Sequence, residues 1–184
     1  MYELSLNVMD IVQNSIRAHT KNVAVSVDVD DASDMLKIVI EDDGDGMSEE
    51  VRRAVSDPFF TTRTTRKVGL GVPYYEMAAR MCGGEFDLWS EQGVGTRVSA
   101  SFRLSHIDRA PLGNMGQTFA LLAGANPDVE FVYSLRRGED GFVFDTREIK
   151  ELLDGVGIDT PEVIVYMEGF INESTQNITG GISL

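Results

Sequence analysis

Two short segments that alternate apolar and polar residues constrain the fold of this chain more than any other feature. The first is VAVSVDVD, residues 23–30, and the second is DMLKIVIEDDG, residues 34–44. Such alternation is typical of a strand with one buried face. The short acidic stretch DDAS between the two runs predicts a β-hairpin. The chain must therefore form a sheet with one apolar face, and other elements must cover that face.

The segments around this hairpin predict the covering helices and a second strand pair. Residues 3–19 have apolar residues at helical spacing, and residues 48–56 begin with a serine followed by two acids, a helix-start signal. Residues 73–81 begin with proline and end just before two glycines, which also predicts a helix. EFDLWSE and TRVSASFRL alternate across the glycine turn QGVG and predict two paired strands. This order predicts an α+β fold, with one sheet and helices on one face.

The character of the sequence changes near Pro111. Beyond it we predict a helix at 114–124, a hairpin at 129–146 and a helix at 146–155, whereas 161–175 stays open between helix and strand. We expect two units. The first spans residues 1–107, and the second is a small α+β unit of residues 111–184, packed against the first and without an identifiable role.

Composition excludes several function classes. The net charge of −14 argues against general binding of nucleic acid, which needs a basic surface. No apolar run is long enough to cross a bilayer, and no basic segment followed by an apolar one marks the N-terminus, so we expect a cytoplasmic protein without membrane contact. A single cysteine, Cys82, excludes an internal disulfide.

The second predicted strand ends in EDDGDGM, residues 41–47, where acids alternate with glycines. The ordinary interpretation is an acidic strand-to-helix turn whose glycines adopt positive φ. A calcium loop is disfavoured, because the acid required at its twelfth position is absent. A third interpretation is a site that grips a base with a carboxylate and lets the ligand approach bare backbone.

Other segments carry features that suit a phosphate ligand. Asp10, Asn14 and Arg17 fall on one face of the first predicted helix, where an amide oxygen can bind Mg²⁺ and a guanidinium can bind phosphate. Glycines in VGLGV, residues 68–72, precede a helix and leave backbone N–H groups free for an anion. The stretch TTRTTRK, residues 61–67, is cationic within an acidic chain and attracts anions.

Taken in order, DIVQNSIRA, DDGDGM, DPFFTTR with VGLGV, and SEQGVGTRVSASF resemble the motifs of the GHKL, or Bergerat-fold, ATP-binding domain. Gyrase-type topoisomerases, the heat-shock chaperone, histidine kinases and MutL-type mismatch-repair proteins share this domain. The resemblance covers about residues 3–104. It implies a histidine-kinase-like ATPase α/β sandwich, with ATP and Mg²⁺ as cofactors.

The resemblance also implies roles for individual residues. Asp42 accepts a hydrogen bond from the adenine amine, helped by Thr96, and the base lies against Gly44, Gly46 and Met47. On the phosphate side, Asn14 binds Mg²⁺ and Arg17 contacts phosphate or ribose. Backbone N–H groups of Gly69, Leu70 and Gly71 bind the triphosphate. A lid of residues 60–68 contributes Thr62 and Arg63.

Two positions depart from the family pattern. KVGLGV stands where kinases usually have GTGLGL, so lid closure is expected to differ. Asp10 stands where ATPases of the family use a glutamate to activate water. Its shorter side chain predicts slow hydrolysis, or a role in polarising a hydroxyl acceptor.

Three functions remain open at this point. The first is a kinase that phosphorylates a partner protein in trans, because the first motif begins too near Met1 to leave room for a phosphoacceptor hairpin. The second is a MutL-like switch in which ATP hydrolysis drives lid closure and homodimer formation. The third is a regulatory module that binds ATP without turnover. DPFFTTR favours the kinase and the acid at position 10 favours the ATPase.

Overall fold

The structure, a computed structural model, describes residues 3–56, 71–181 and 184. The helices and strands follow in this order: α1 (Leu4–Arg17), β1 (Asn22–Asp30), β2 (Met35–Asp42), α2 (Glu49–Ser56), α3 (Gly71–Met81), β3 (Phe86–Glu91), β4 (Gly95–Arg103), α4 (Met115–Ala125), β5 (Glu130–Arg137), β6 (Asp140–Asp145), α5 (Thr146–Leu152) and α6 (Pro161–Thr179). The predicted elements are thus present, and the open segment after residue 160 is a helix.

The strands form a single mixed sheet in the order β3-β4-β2-β1-β5-β6. The β1–β2 hairpin is antiparallel, with Val27 opposite Ile38, and β2 pairs antiparallel with β4. β5 runs parallel to β1, with Val27 opposite Leu135. The strands of the C-terminal segment therefore extend the first sheet, and the described residues contain no second one. The division into units at 1–107 and 111–184 stays a prediction.

Alternate residues of the strands point into one apolar core. On β1 and β2 these residues are almost fully buried: Val23, Val25, Val27, Val29, Leu36, Ile38 and Ile40. α1, α3, α4 and α6 supply the other side of the core. The opposite face carries cross-strand ion pairs, Asp28 with Arg136 and Glu41 with Arg97, at exposed positions. This arrangement confirms the predicted α+β class and the position of the helices on one face.

The C-terminal segment is tied to the N-terminal helix through backbone hydrogen bonds. The first N–H groups of an α-helix have no partner within the helix. Here Leu4 N donates to Pro111 O at 2.9 Å, and Ser5 N donates to Leu112 O at 2.8 Å. The carbonyl groups of residues 111–112 thereby accept hydrogen bonds from the first two N–H groups of α1. No helix in the described ranges is long and apolar enough to span a bilayer.

Candidate functional site

Asp42, the last residue of β2, lies directly opposite Thr96 of β4. Its half-buried carboxylate is held by two donors. Ser15 Oγ of α1 donates to Oδ2 at 2.6 Å, and the backbone N–H of Gly44 donates to Oδ1 at 2.9 Å. Because each oxygen already accepts one hydrogen bond, the orientation of the carboxylate is set before any ligand arrives.

Ser90 of β3 connects three parts of this sheet edge. Its hydroxyl accepts a hydrogen bond from the backbone N–H of Met47 at 2.8 Å and lies 2.9 Å from Thr96 Oγ1. It also lies 3.0 Å from the carbonyl oxygen of Gly95. The structure therefore brings Met47 and Thr96, two of the predicted base-contacting residues, within hydrogen-bond distance of one serine.

The glycines of the acidic loop allow close backbone approaches. Gly46 has φ +64°, and a Cβ there would lie 2.0 Å from the carbonyl oxygen of Glu91. A Cβ on Gly44 would lie 2.7 Å from the carbonyl oxygen of Ala18. Both positions are thus explained by packing of the loop against β3 and the end of α1. A contact of Gly44 or Gly46 with adenine stays a prediction.

The predicted phosphate side lies along α1. Asn14 is half-buried, and its Oδ1 accepts a hydrogen bond from Arg17 Nη1 at 3.2 Å. Asp10 lies one turn earlier and is exposed. A Cβ built on Gly71 would be 3.1 Å from the Cβ of Asp10, so the first residue of α3 passes directly beside this acid. Thr62, Arg63, Gly69 and Leu70 lie outside the described residues.

Asp43, the neighbouring acid, uses its carboxylate to bind residues 20–22 through hydrogen bonds. Its oxygens accept hydrogen bonds from Thr20 Oγ1 and from the backbone N–H groups of Lys21 and Asn22, and from Asn22 Nδ2, at 2.7–2.8 Å. Burial opposes ionisation, but the hydrogen bonds from Asn22, Thr20 and Lys21 outweigh it and hold the pKa of the carboxyl well below its usual range. Of these two adjacent acids, Asp42 has the more unused acceptor capacity.

Ser15 and Ser90 were not among the predicted site residues. Ser15 is buried and lies on the apolar side of α1, which also carries Val8, Ile11 and Val12. A small hydroxyl residue within such a stripe is a signal that sequence reading can use. No comparable signal marks Ser90, because it occupies an ordinary half-buried position in β3.

Comparison with known proteins finds similarity to ATPases and to sensor kinases. The family model for the histidine kinase-, DNA gyrase B-, and HSP90-like ATPases matches residues 3–106. The chain is 29% identical over 102 residues to a probable C4-dicarboxylate sensor kinase of Halalkalibacterium halodurans, covering 53% of this chain and 19% of the relative. It is 34% identical over 105 residues to the sensor protein kinase FleS of Pseudomonas aeruginosa, covering 57% of this chain and 25% of the relative. The chain thus spans a quarter or less of the length of these relatives.

Among solved structures, the MutL ATPase domain of Aquifex aeolicus complexed with ADP aligns at 16% identity and a TM-score of 0.47. That alignment covers 84% of this chain and 70% of the other. The family model is the decisive comparison, because it matches more than half of the chain and includes α1, the acidic loop and β4. The chain belongs to the histidine kinase-, DNA gyrase B-, and HSP90-like ATPase family.

Proposed function

We propose that this protein binds Mg-ATP where β2 and β4 meet α1 and transfers the γ-phosphoryl group to a partner protein. The observation that carries the proposal is the preset Asp42 carboxylate, held between Ser15 and the Gly44 N–H. An ionised carboxylate has about four acceptor positions, so capacity remains for an N–H donor of a base. Such an acceptor, fixed in advance at a sheet edge, suits the exocyclic amine of adenine.

Residues near Ser15, in the last turn of α1, fit a magnesium triphosphate. Mg²⁺ prefers oxygen ligands and commonly takes one or two from the protein, the rest coming from water and phosphate. Asn14 Oδ1 would supply the protein oxygen, and bound Mg²⁺ would neutralise phosphate charge. Arg17 now donates to that oxygen at 3.2 Å. A triphosphate would draw the guanidinium away, since phosphate is the stronger acceptor.

In phosphoryl transfer the protein mainly positions the reactants and stabilises charge. Asp10 lies beside Gly71 at the start of α3, next to the backbone that would face the phosphates. There its carboxylate would accept the proton of an attacking hydroxyl. The sensor kinase names of the two relatives support transfer as the first choice.

The contact between Asp10 and Gly71 also supports a second candidate, an ATPase whose slow hydrolysis switches the conformation. The same carboxylate would then orient water instead of a protein hydroxyl. In the third candidate, a regulatory ATP-binding module, Asp10 has no chemical role. The three candidates share the binding site and differ in the fate of the γ-phosphate.

The binding site is tested by calorimetry with ATP, in the presence and absence of Mg²⁺, on the wild type, Asp42→Asn and Asp45→Asn. Asp42→Asn should weaken binding by tenfold or more, because hydrogen bonds to a charged acceptor contribute about 1.5–3 kcal/mol. Asp45 is exposed and contacts His19 instead of the site, so its variant serves as a control of equal charge change. Equal loss in both variants, or none in either, would contradict the proposed base site.

The reaction is tested with ATP labelled at the γ-phosphate. Transfer predicts label on a second protein, and Asp10→Asn should abolish it while ATP still binds. Free phosphate without labelled protein would favour the conformational switch. Bound ATP that stays intact with every acceptor offered would leave the regulatory module as the function.

A further inference from the structure

A second concave site lies at the opposite end of α1 from Asn14. It is a pocket of about 490 Å³ between the start of α1, the second half of α3, Phe102 of β4 and residues 108–110. This volume is within the range of small-molecule sites. Its deepest lining residues, Leu4, Cys82 and Phe102, are at most 3% exposed, whereas Met77 and Met81 at the rim are 51% and 62% exposed.

Asn7 lines this pocket and is only 1% exposed. Its side-chain Nδ2 is buried and has no hydrogen-bond partner among the described residues. A buried donor without a partner is costly, and a protein normally satisfies it. If a ligand placed an acceptor atom in the pocket, a small rotation of the Asn7 amide would allow a hydrogen bond to it. That hydrogen bond would remove the cost of the unpaired donor.

The pocket is separate from the proposed nucleotide site. Asn7 and Asn14 are seven residues apart, which places them on the same side of α1 and roughly 10 Å apart along its axis. On α3, Gly71 lies at the nucleotide end, whereas Met77 and Met81 lie at the pocket end. No residue assigned to the nucleotide lines the pocket in the described part of the chain.

We propose that this pocket binds a neutral, mainly apolar small molecule that carries one carbonyl oxygen. The leucine, methionine and phenylalanine side chains match an apolar body. The Asn7 amide supplies a donor for the carbonyl. Asp108 lines the pocket and is exposed. Because the chain as a whole also carries a net charge of −14, an anionic ligand is disfavoured.

Benzophenone and diphenylmethane test this chemistry as a matched pair, since they differ mainly in the carbonyl oxygen. Titration into ¹⁵N-labelled full chain should shift backbone signals of residues 74–82 with both compounds. Benzophenone should bind about tenfold more tightly, because it satisfies a buried donor. It should also shift the side-chain amide signal of Asn7, which diphenylmethane should leave in place.

Two variants separate the hydrogen bond from the cavity. Asn7→Leu keeps a similar shape without the donor, so the two compounds should bind with affinities within about twofold of each other. Ala78→Phe places a ring in the pocket and should abolish binding of both, with the folded spectrum retained. Ala78 is half-buried and lines the pocket.

Several outcomes would overturn the proposal: no shifts at residues 74–82, equal affinities in the wild type, or an Asn7 amide signal that ignores benzophenone. The Asn7 amide signal is measured on the wild type. It therefore tests the proposal even if a substitution unfolds the chain. Displacement of benzophenone by ATP would place it in the nucleotide site and would also overturn the proposal. If Asp42→Asn loses ATP binding but still binds benzophenone, the pocket binds its ligand independently of the nucleotide site.

Discussion

At the scale of single residues, Asp42 and Asp43 show how adjacent acids acquire different tasks. Successive side chains along a strand point to opposite faces of the sheet. Two adjacent acids therefore meet different neighbouring residues. Asp42 faces α1 and meets Ser15, whereas Asp43 meets the segment that joins α1 to β1. The first is oriented for a ligand, and the second is part of the scaffold.

Ser15→Ala should weaken ATP binding by about threefold to tenfold, because Asp42 loses the hydroxyl that orients it. We also expect a loss of fold stability of about 1 kcal/mol, because Ser15 is buried. Calorimetry and urea unfolding measure the two effects. Ser26→Ala, at an exposed position of β1, is the control and should change neither. Unchanged ATP affinity in Ser15→Ala would remove the positioning role of Ser15.

Asp43→Asn should lower the free energy of unfolding by about 1 kcal/mol at pH 7, since the carboxylate and its hydrogen bonds hold residues 20–22. The folded-state pKa is lowered. The stabilisation is therefore complete above the unfolded pKa of about 4 and declines as the pH falls below it. Urea unfolding at pH 7, 4 and 3 should show the difference between wild type and variant shrinking toward pH 3.

Asp87→Asn is the control for that series, because Asp87 is an exposed acid on β3. Its difference from wild type should stay small at each pH. A difference for Asp43→Asn that grows on acidification would contradict the assigned direction of the pKa shift.

At the scale of elements, the acidic loop and the β3–β4 hairpin pack backbone against backbone. The N–H of Gly93 donates to Asp45 O at 2.7 Å. Gly46 and Gly95 each leave room for a carbonyl oxygen that a Cβ would meet at 2.0 Å. This contact holds the acidic loop beside Asp42 and Thr96, which the pairing of β2 with β4 places opposite each other.

Gly46→Ala and Gly93→Ala separate this close approach from backbone strain. Both glycines have positive φ, but a Cβ on Gly93 would meet nothing within 4 Å. Gly93→Ala should therefore cost about 1 kcal/mol, the cost of the left-handed conformation. Gly46→Ala should cost at least about 2 kcal/mol more, because the backbone must shift. Urea unfolding measures both changes in the free energy of unfolding. Equal losses in the two variants would show that the loop moves to accommodate the Cβ of residue 46 at no energetic cost.

At the scale of the whole molecule, the sheet formed by the described strands joins the N-terminal and C-terminal parts of the chain. β1 lies in the middle and pairs with β2 on one side and with β5 on the other. Phe119 of α4 stacks on Tyr133 of β5, with ring centroids 4.7 Å apart, which places α4 in the common core. Removing the C-terminal strands would leave β1 as an exposed edge.

We expect the described chain to unfold in one transition. Trp89, the single tryptophan, lies on β3, an edge strand of the sheet, and reports on the N-terminal part. Its fluorescence and the far-ultraviolet circular dichroism should give coincident urea transitions. Two separated transitions would instead support the division into units at 1–107 and 111–184.

Much of the fold was predictable because it depends on local patterns. Period-two alternation identified β1 to β4, and helical spacing with start and stop signals identified α1 and α3. The parallel pairing of β1 with β5 was not predicted. More than a hundred residues separate the partners in the chain, and alternation shows that a strand has one buried face without showing which strand lies beside it.

The candidate site divides in the same way. The sequence alone determined the sheet hairpin, the helices that cover it, the family, and Asp42 as the predicted acceptor for a base. Only the tertiary structure revealed the Ser15 and Ser90 hydrogen bonds, the pairing of β1 with β5 in one sheet, and the buried Asn7 Nδ2 that has no partner among the described residues. The physical reason is that periodicity and turn signals act between near neighbours, whereas hydrogen-bond partners and cavities arise where distant elements pack together.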